Sequence, residues 1–369
     1  MRVTNKPVDK FFLGIVITLI SIGVLVFVSA SLGILPKNTS KFYGVLFNQL
    51  VLGLGVGIGA IILFSKIHYK FWRKYSFYIF LGAIIATLMV FIPGLGFTHG
   101  GARRWLSIGP VSVQPVEFLK IAFIIYFAGW LSWVKNRVHV FKFGILPFAI
   151  LMGIIAAVLF VQPDTKNFLL ILLVALAMFV ASGVKWKYIL GLVAVALIGI
   201  IILVSMKPYL LTRVKTFVDP SSDPTGASYQ IQQSLIAIGS GGVFGRGYGQ
   251  SIQKFSYLPE PQGDSIFAVV GEEFGFVGST FIILLYVVFA FRGLRIAYRA
   301  PDLFSRLLVT GIVILIVAQS FLNIASIIGV FPLTGVPLVF MSHGGTSLLL
   351  SMAAVGIVLN ISRYQKKVN

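Results

Sequence analysis

Ten long apolar stretches leave this chain few ways to fold. They lie at approximately 11–31, 44–64, 76–93, 115–133, 143–161, 167–184, 188–206, 266–291, 307–328 and 347–362. The hydrocarbon core of a bilayer is about 30 Å thick and is crossed by about 20 apolar residues in a helix. Every backbone N–H and C=O at that depth needs a partner within the protein, and a helix supplies one inside a single segment. The chain is 58% hydrophobic and 11% charged, against about 25% charged in soluble domains. The expected fold class is an all-α integral membrane protein with ten transmembrane helices, a single polytopic domain over 1–369. A soluble globular domain is excluded. The first stretch follows a basic N-terminus, as in a signal peptide, but it outruns a signal core and is read as an uncleaved helix.

Charge orients the bundle. Lys and Arg number 30 against 10 Asp and Glu, a net charge of +20. With ten spans the termini share a compartment. If that compartment is the cytoplasm, nineteen Lys and Arg fall in inner segments and ten in outer ones. Five of those ten lie in the one long loop, about 207–265, between helices 7 and 8, and charges in long loops count least. Both termini are therefore expected to be cytoplasmic and that long loop extracytoplasmic. The basic balance is accounted for by anchoring, and no nucleic acid is implied. The absence of cysteine excludes disulfides and thiolate chemistry, and His68, His99, His139 and His343 lack metal-ligand spacing.

With this orientation the unusual polar sequences gather at the outer face. Asp264 sits just before the stretch Ile266 to Phe291. Counting outward from Arg292, a continuous helix places Glu272 and Glu273 near the edge of the hydrocarbon and Asp264 roughly 12 Å above them, among the headgroups. It is either an N-terminal helix cap or a catalytic or binding residue. Glu117 and Lys120, at i and i+3 behind Pro115, share one helix face; they form a structural ion pair or the edge of a substrate cavity. Arg103 and Arg104 lie outside against the positive-inside rule, suited to phosphate or simply to headgroups. The run Gly239 to Gly249 permits close backbone approach or marks a flexible loop, and it lacks the Gly-Lys-Ser/Thr of a Walker loop. Ser342, Gly344 and Gly345 precede the last stretch, as a plain turn and cap or as an anion site at a helix start.

These motifs, in order, resemble the SEDS family of the FtsW and RodA type. The blocks are Gly101-Ala102-Arg103-Arg104-Trp105-Leu106, Gln114-Pro115-Val116-Glu117-Phe118-Leu119-Lys120 and Gln162-Pro163-Asp164. Tyr229-Gln230 and Gln233 to Gly242 follow, then Leu258-Pro259-Glu260 with Asp264, Gly271-Glu272-Glu273, Pro332 to Leu338, and Ser342-His343-Gly344-Gly345. The first block, with Gln250 to Lys254, is closer to FtsW than to RodA. Two blocks depart from the family: its His-Thr-Asp-Phe is Gln262-Gly263-Asp264-Ser265 here, and the Tyr of its Ser-Tyr-Gly-Gly is His343.

The resemblance implies a peptidoglycan glycosyltransferase of the cytoplasmic membrane, acting at the division septum. It would polymerise lipid II, a disaccharide-pentapeptide on undecaprenyl pyrophosphate, beside a class B penicillin-binding protein and other division or elongation proteins. The family's essential Asp matches Asp264, which would serve as general base. Arg103, Lys120, Arg246 and Lys254 are candidates for the pyrophosphate, with Glu117 holding Lys120. Arg104, Glu260, Ser342, Gly344 and Gly345 complete the expected substrate site. No cofactor is required by the sequence, although a divalent cation, Mg or Mn, would suit the leaving group. A lipid II flippase and a non-catalytic scaffold for the transpeptidase are the alternatives. A flippase needs polar residues near the midplane, and few deep charges are present.

Overall fold

The computed structural model describes residues 7–36, 38–99, 102–108, 111–219 and 227–366. Each of the ten apolar stretches is helical. The helices are α1 (Lys10–Ser31), α2 (Thr39–Phe47), α3 (Val56–Lys66), α4 (Lys70–Leu88), α5 (Pro115–Val134), α6 (Ile145–Val161), α7 (Thr165–Ala181) and α8 (Trp186–Met206). After them come α9 (Pro208–Val218), α10 (Ala227–Ser240), α11 (Gln253–Ser256), α12 (Ile266–Tyr298), α13 (Leu303–Ile327) and α14 (Gly345–Ser362). A π-helical stretch, Asn48–Gly55, joins α2 to α3. Among the described residues eight helical stretches are long and apolar enough to cross a membrane; α6 and α7 are apolar but only 17 residues long.

Local signals set several boundaries. Asp9 caps α1 by accepting from the Phe12 N–H, and it pairs with Arg292 of α12 at 2.7 Å. Asp302 and Ser305 form a reciprocal capping box at the start of α13. α13 packs on α5, α7, α12 and α14. Its Leu307, Leu308, Val309, Ile312 and Val313 are wholly buried. The rings of Phe127, Phe148 and Phe179 lock α5, α6 and α7 together. α8 contrasts with this packed centre: Leu190, Val195 and Ile201 are each about two-thirds exposed, the face an apolar helix turns to lipid.

Three features depart from the expected all-α bundle. The segment after α4 forms a three-stranded antiparallel sheet, β1 (Gly96–His99), β2 (Ala102–Ile108) and β3 (Val111–Val113). The long loop 207–265 carries three helices, α9 to α11. The third departure is in α12, which breaks at Gly275, with φ 64° and ψ −160°. There the glycine-rich run takes over the broken ladder. The amides of Arg246 and Gly247 donate to the carbonyls of Glu272 and Glu273, and the amides of Phe276 and Val277 donate to Gly242 and Val243. The run is thus neither a flexible loop nor a phosphate cradle. At Gly245 (φ 82°) a β-carbon would lie 2.1 Å from the carbonyl oxygen of Glu273, so only glycine fits.

Candidate active site

The chain between α13 and α14 is irregular, and its buried carbonyls need partners from elsewhere. Side chains of four helices supply them. Arg213 of α9 donates to Leu333 O at 2.8 Å, and Lys166 of α7 donates to Gly335 O. On α13, Asn323 donates to Val336 O at 2.8 Å and Gln319 to Pro337 O at 3.2 Å. Tyr286 of α12 donates to Val339 O. Further along, Gln49, in the π-helical stretch, donates to Ser342 O and accepts from the Gly344 N–H.

This segment in turn clamps the tight turn that carries Asp264. The Ser342 hydroxyl donates to Gly263 O at 2.8 Å, the His343 N–H donates to Gln262 O at 2.7 Å, and Asn323 donates to Asp264 O at 2.8 Å. Gln230 of α10 donates to the hydroxyl of Ser265. Ser265, not Asp264, is the N-cap of α12, so the helix-cap reading of Asp264 does not hold. The half-buried Asp264 carboxylate takes part in none of the ion pairs formed by the described residues.

Two cations face that carboxylate. A β-carbon on Gly335 would lie 3.2 Å from Oδ2 of Asp264, 3.6 Å from Nζ of Lys166 and 3.7 Å from Nη2 of Arg213, so all three groups meet around one point. Burial lowers the pKa of Arg213 from the ordinary arginine value, and the charge of Arg104 adds to this; Asp264 and Tyr209 act in the opposite sense. The site therefore holds partly desolvated positive charge in excess of its one carboxylate. Lys166 and Arg213, with Arg104, Thr165 and Tyr209, border a cavity of about 480 Å³. The Thr165 and Tyr209 hydroxyls, 2.7 Å apart, fasten α9 to α7. Further along α7 the lining becomes Leu169, Leu173 and Leu176, opposite Ala196, Ile200 and Val204 of α8. A cationic mouth continued by an apolar groove suits an amphiphile with an anionic head.

The structure redistributes the residues expected from sequence. Arg103 and Arg104 are neighbours on β2, so they point to opposite faces. Arg103 binds the carbonyls of Gly96, in its own hairpin, and of Phe91, in the turn after α4, whereas Arg104 reaches Gln162 O and Pro163 O at the cavity. Glu117 and Lys120 pair at 2.8 Å, as the spacing implied, but both are buried and Lys120 donates to Gln319 rather than facing the cavity mouth. Lys254 is a correction. It is 1% exposed and bound to Glu273 at 2.7 Å, to Ser29 and to Gly249 O, so its charge and donors are spent. Arg246 is another: it lies 3.7 Å from Glu272 at the α12 break, two turns beyond Asp264. Glu260 is exposed in the Asp264 turn and accepts from Gln262. Ser342, Gly344 and Gly345 are corrections as an anion site. Ser342 is bonded to Gly263 and Leu338, the Gly344 N–H is taken by Gln49, and Gly345 packs on Asn48.

Lys166 and Arg213 are the residues that sequence reasoning missed. Lys166 follows Gln162-Pro163-Asp164 by two residues. Arg213 sits with Tyr209 at i and i+4, one face of a short helix, a signal hidden inside the long segment 207–265.

The arrangement can take a proton at Asp264 and hold an anion at Lys166 and Arg213, beside an apolar groove. A model of the FtsW/RodA/SpoVE cell cycle protein family matches residues 9–367. Stage V sporulation protein E of Bacillus subtilis (strain 168) is 37% identical over 368 residues, covering 98% of this chain and 100% of that one. The probable peptidoglycan glycosyltransferase FtsW of Geobacter sp. (strain M18) is 38% identical over 354 residues, 96% of each chain. A chain from a peptidoglycan synthase complex that coordinates polymerization and crosslinking superposes with a TM-score of 0.80 at 25% identity, over 98% of this chain and 99% of that chain. Thermus thermophilus rod shape determining protein RodA gives a TM-score of 0.71 at 24% identity, over 98% of each chain. Matched over nearly its whole length by the family model and by these relatives, the chain belongs to the FtsW/RodA/SpoVE family of cell cycle proteins.

Proposed function

We propose that this protein is a peptidoglycan glycosyltransferase that polymerises lipid II at the outer face of the cytoplasmic membrane during septal wall synthesis. The observation that carries the reading is the meeting of Asp264, Lys166 and Arg213 around Gly335, at the head of an apolar groove. The sheet end of the bundle is then extracytoplasmic and both termini are cytoplasmic. All ten apolar helices span the membrane, α6 and α7 at the short end of the range, about 26 Å each.

The donor sugar is α-linked to pyrophosphate and the product is β-1,4-linked, so a single inverting displacement suffices. Asp264 removes the proton of the acceptor 4-hydroxyl as its oxygen bonds to C1 of the donor. The C1–O bond to phosphate breaks, and the electron pair leaves with the pyrophosphate. Lys166, Arg213 and Arg104 stabilise that developing charge. Arg213 presents a planar fork and Lys166 a compact ammonium, and each keeps donors beyond the one bonded to the chain. The groove between α7 and α8 takes the first part of the polyprenyl chain. Among the described residues no three His, Cys, Asp or Glu side chains cluster as a metal site; a divalent cation, Mg or Mn, would enter on the pyrophosphate itself. A class B penicillin-binding protein is the proposed partner, alongside other division or elongation proteins.

A flippase would need unspent polar groups along a path through the bundle. Glu117 is paired with Lys120 and Glu273 with Lys254, and the buried Asp164 stands at the N-terminus of α7 rather than along such a path. The test is polymer from labelled lipid II by the purified protein with its transpeptidase, comparing wild type with Asp264→Ala. Wild type is expected to make glycan and Asp264→Ala none. Equal polymer from the two would remove Asp264 from the chemistry and leave the scaffold reading.

A further inference from the structure

Asn323 of α13 gives both hydrogens of one amide to the active-site backbone. One goes to the carbonyl of Asp264 and the other to the carbonyl of Val336, each at 2.8 Å. The side chain is 1% exposed, and its Oδ1 has no hydrogen-bond partner among the described residues. The opposite amide orientation would set oxygen against two carbonyl oxygens, so the NH₂ must face them and Oδ1 must stay unpaired. A buried unpaired acceptor is costly, and its retention marks a use for the two donors. Val336 adjoins Gly335, around which Lys166 and Arg213 are gathered. Among the described residues, Asn323 is thus the one side chain bonded both to the backbone of Asp264 and to the segment that locates the cations.

We propose that Asn323 is a positioning residue for the reaction. It fixes the distance between the Asp264 carboxylate and the cationic pair, and so the distance between base and leaving group. The inference rests on the reading of Asp264 as general base. The Asp264 carboxylate accepts no hydrogen bond from the described residues, so its position comes only from its backbone. That backbone is held by Ser342 at Gly263, by His343 at Gln262 and by Asn323 at Asp264 itself. Gln319, one turn before Asn323, is the internal control. It donates to Pro337 O in the same segment and accepts from Lys120, without touching the Asp264 turn.

The experiment compares Asn323→Leu, Asn323→Asp and Gln319→Leu with wild type in the full chain with its transpeptidase. Asn323→Leu keeps the branched shape at a larger volume and removes the donors; Asn323→Asp keeps the size and sets an oxygen against the two carbonyls. The expected result for both is a kcat lowered about 100-fold with KM for lipid II within about twofold, the signature of misplaced reacting groups. Gln319→Leu is expected to lose less than about fivefold. Amide hydrogen exchange over residues 258–268 reads the turn whether or not the chain makes polymer. Exchange at Ser265 and Ile266 is expected to quicken at least about tenfold in the Asn323 variants alone. Quickened exchange with no polymer from wild type would uphold the positioning and sink the glycosyltransferase reading. Unchanged exchange, or equal loss of kcat in the Asn323 and Gln319 variants, would overturn the positioning role.

Discussion

Lys166 and Arg213 do two jobs with one charge each. Each donates to a carbonyl of the segment between α13 and α14, and each turns further donors toward Asp264. Their presence explains why the half-buried carboxylate of Asp264 needs no salt bridge: charge balance comes from groups a few ångströms further away. Removing either donor should weaken the hold on a departing pyrophosphate more than it weakens the fold. Lys166→Ala and Arg213→Ala are each expected to lower kcat/KM for lipid II by about 100-fold. Arg213→Lys should recover part of that loss, since it keeps charge without the fork. Steady-state polymerisation kinetics would check this, and wild-type kcat/KM in both alanine variants would assign the leaving group to other residues. Asp264 itself could be read from the sequence, because an acid is rare in so basic a chain. Lys166 and Arg213 could not, because a place just after Asp164, or beside Tyr209 on one helix face, does not say which cation turns toward Asp264.

α12 depends on a second element for its integrity. Its ladder is open at Gly275, and the strand of backbone from Gly242 to Gly247 closes it from the side. Glu272 accepts from Ser251 and the Ile252 N–H, and Glu273 accepts from Lys254 and Ser29, so the repair is secured by two buried carboxylates. Gly245→Ala forces a β-carbon onto Glu273 O at a positive φ. The expected cost is about 2–4 kcal/mol, seen as a Tm lower by roughly 5 °C or more in detergent. Gly239→Ala, where a β-carbon meets nothing within 4 Å, should leave Tm within about 1 °C. Thermal unfolding of the two variants decides between a mended helix and a slack loop. The sequence shows six glycines between Gly239 and Gly249; which need to be glycine follows from what they touch, and that is set by a helix some thirty residues further on. The same reasoning applies to β2, where adjacent arginines part company because a strand alternates its faces.

Across the whole molecule, α8 stands apart from the packed centre and forms the outer wall of the groove. A bulky residue inside that wall should compete with a lipid tail while leaving the bundle intact. Ala196→Trp is expected to cut polymerisation of undecaprenyl lipid II roughly tenfold, the loss of a modest area of apolar contact, and to spare a short-prenyl analogue. Val195→Trp, on the exposed side of the same helix, should be neutral. Initial rates with the two donors would show it, and equal losses at both positions would place the tail elsewhere. The helical state of the apolar stretches and the prominence of Asp264 were determined by sequence alone. Hydrocarbon imposes a length and a composition on each segment independently, so those features are local and additive. Which cations serve Asp264, that Lys254 is spent inside an ion pair, and that Asn323 ties base to cation were decided only by tertiary structure. Those outcomes depend on which buried carbonyl or carboxylate each side chain meets first, and most of the partners lie from 13 to 225 residues away.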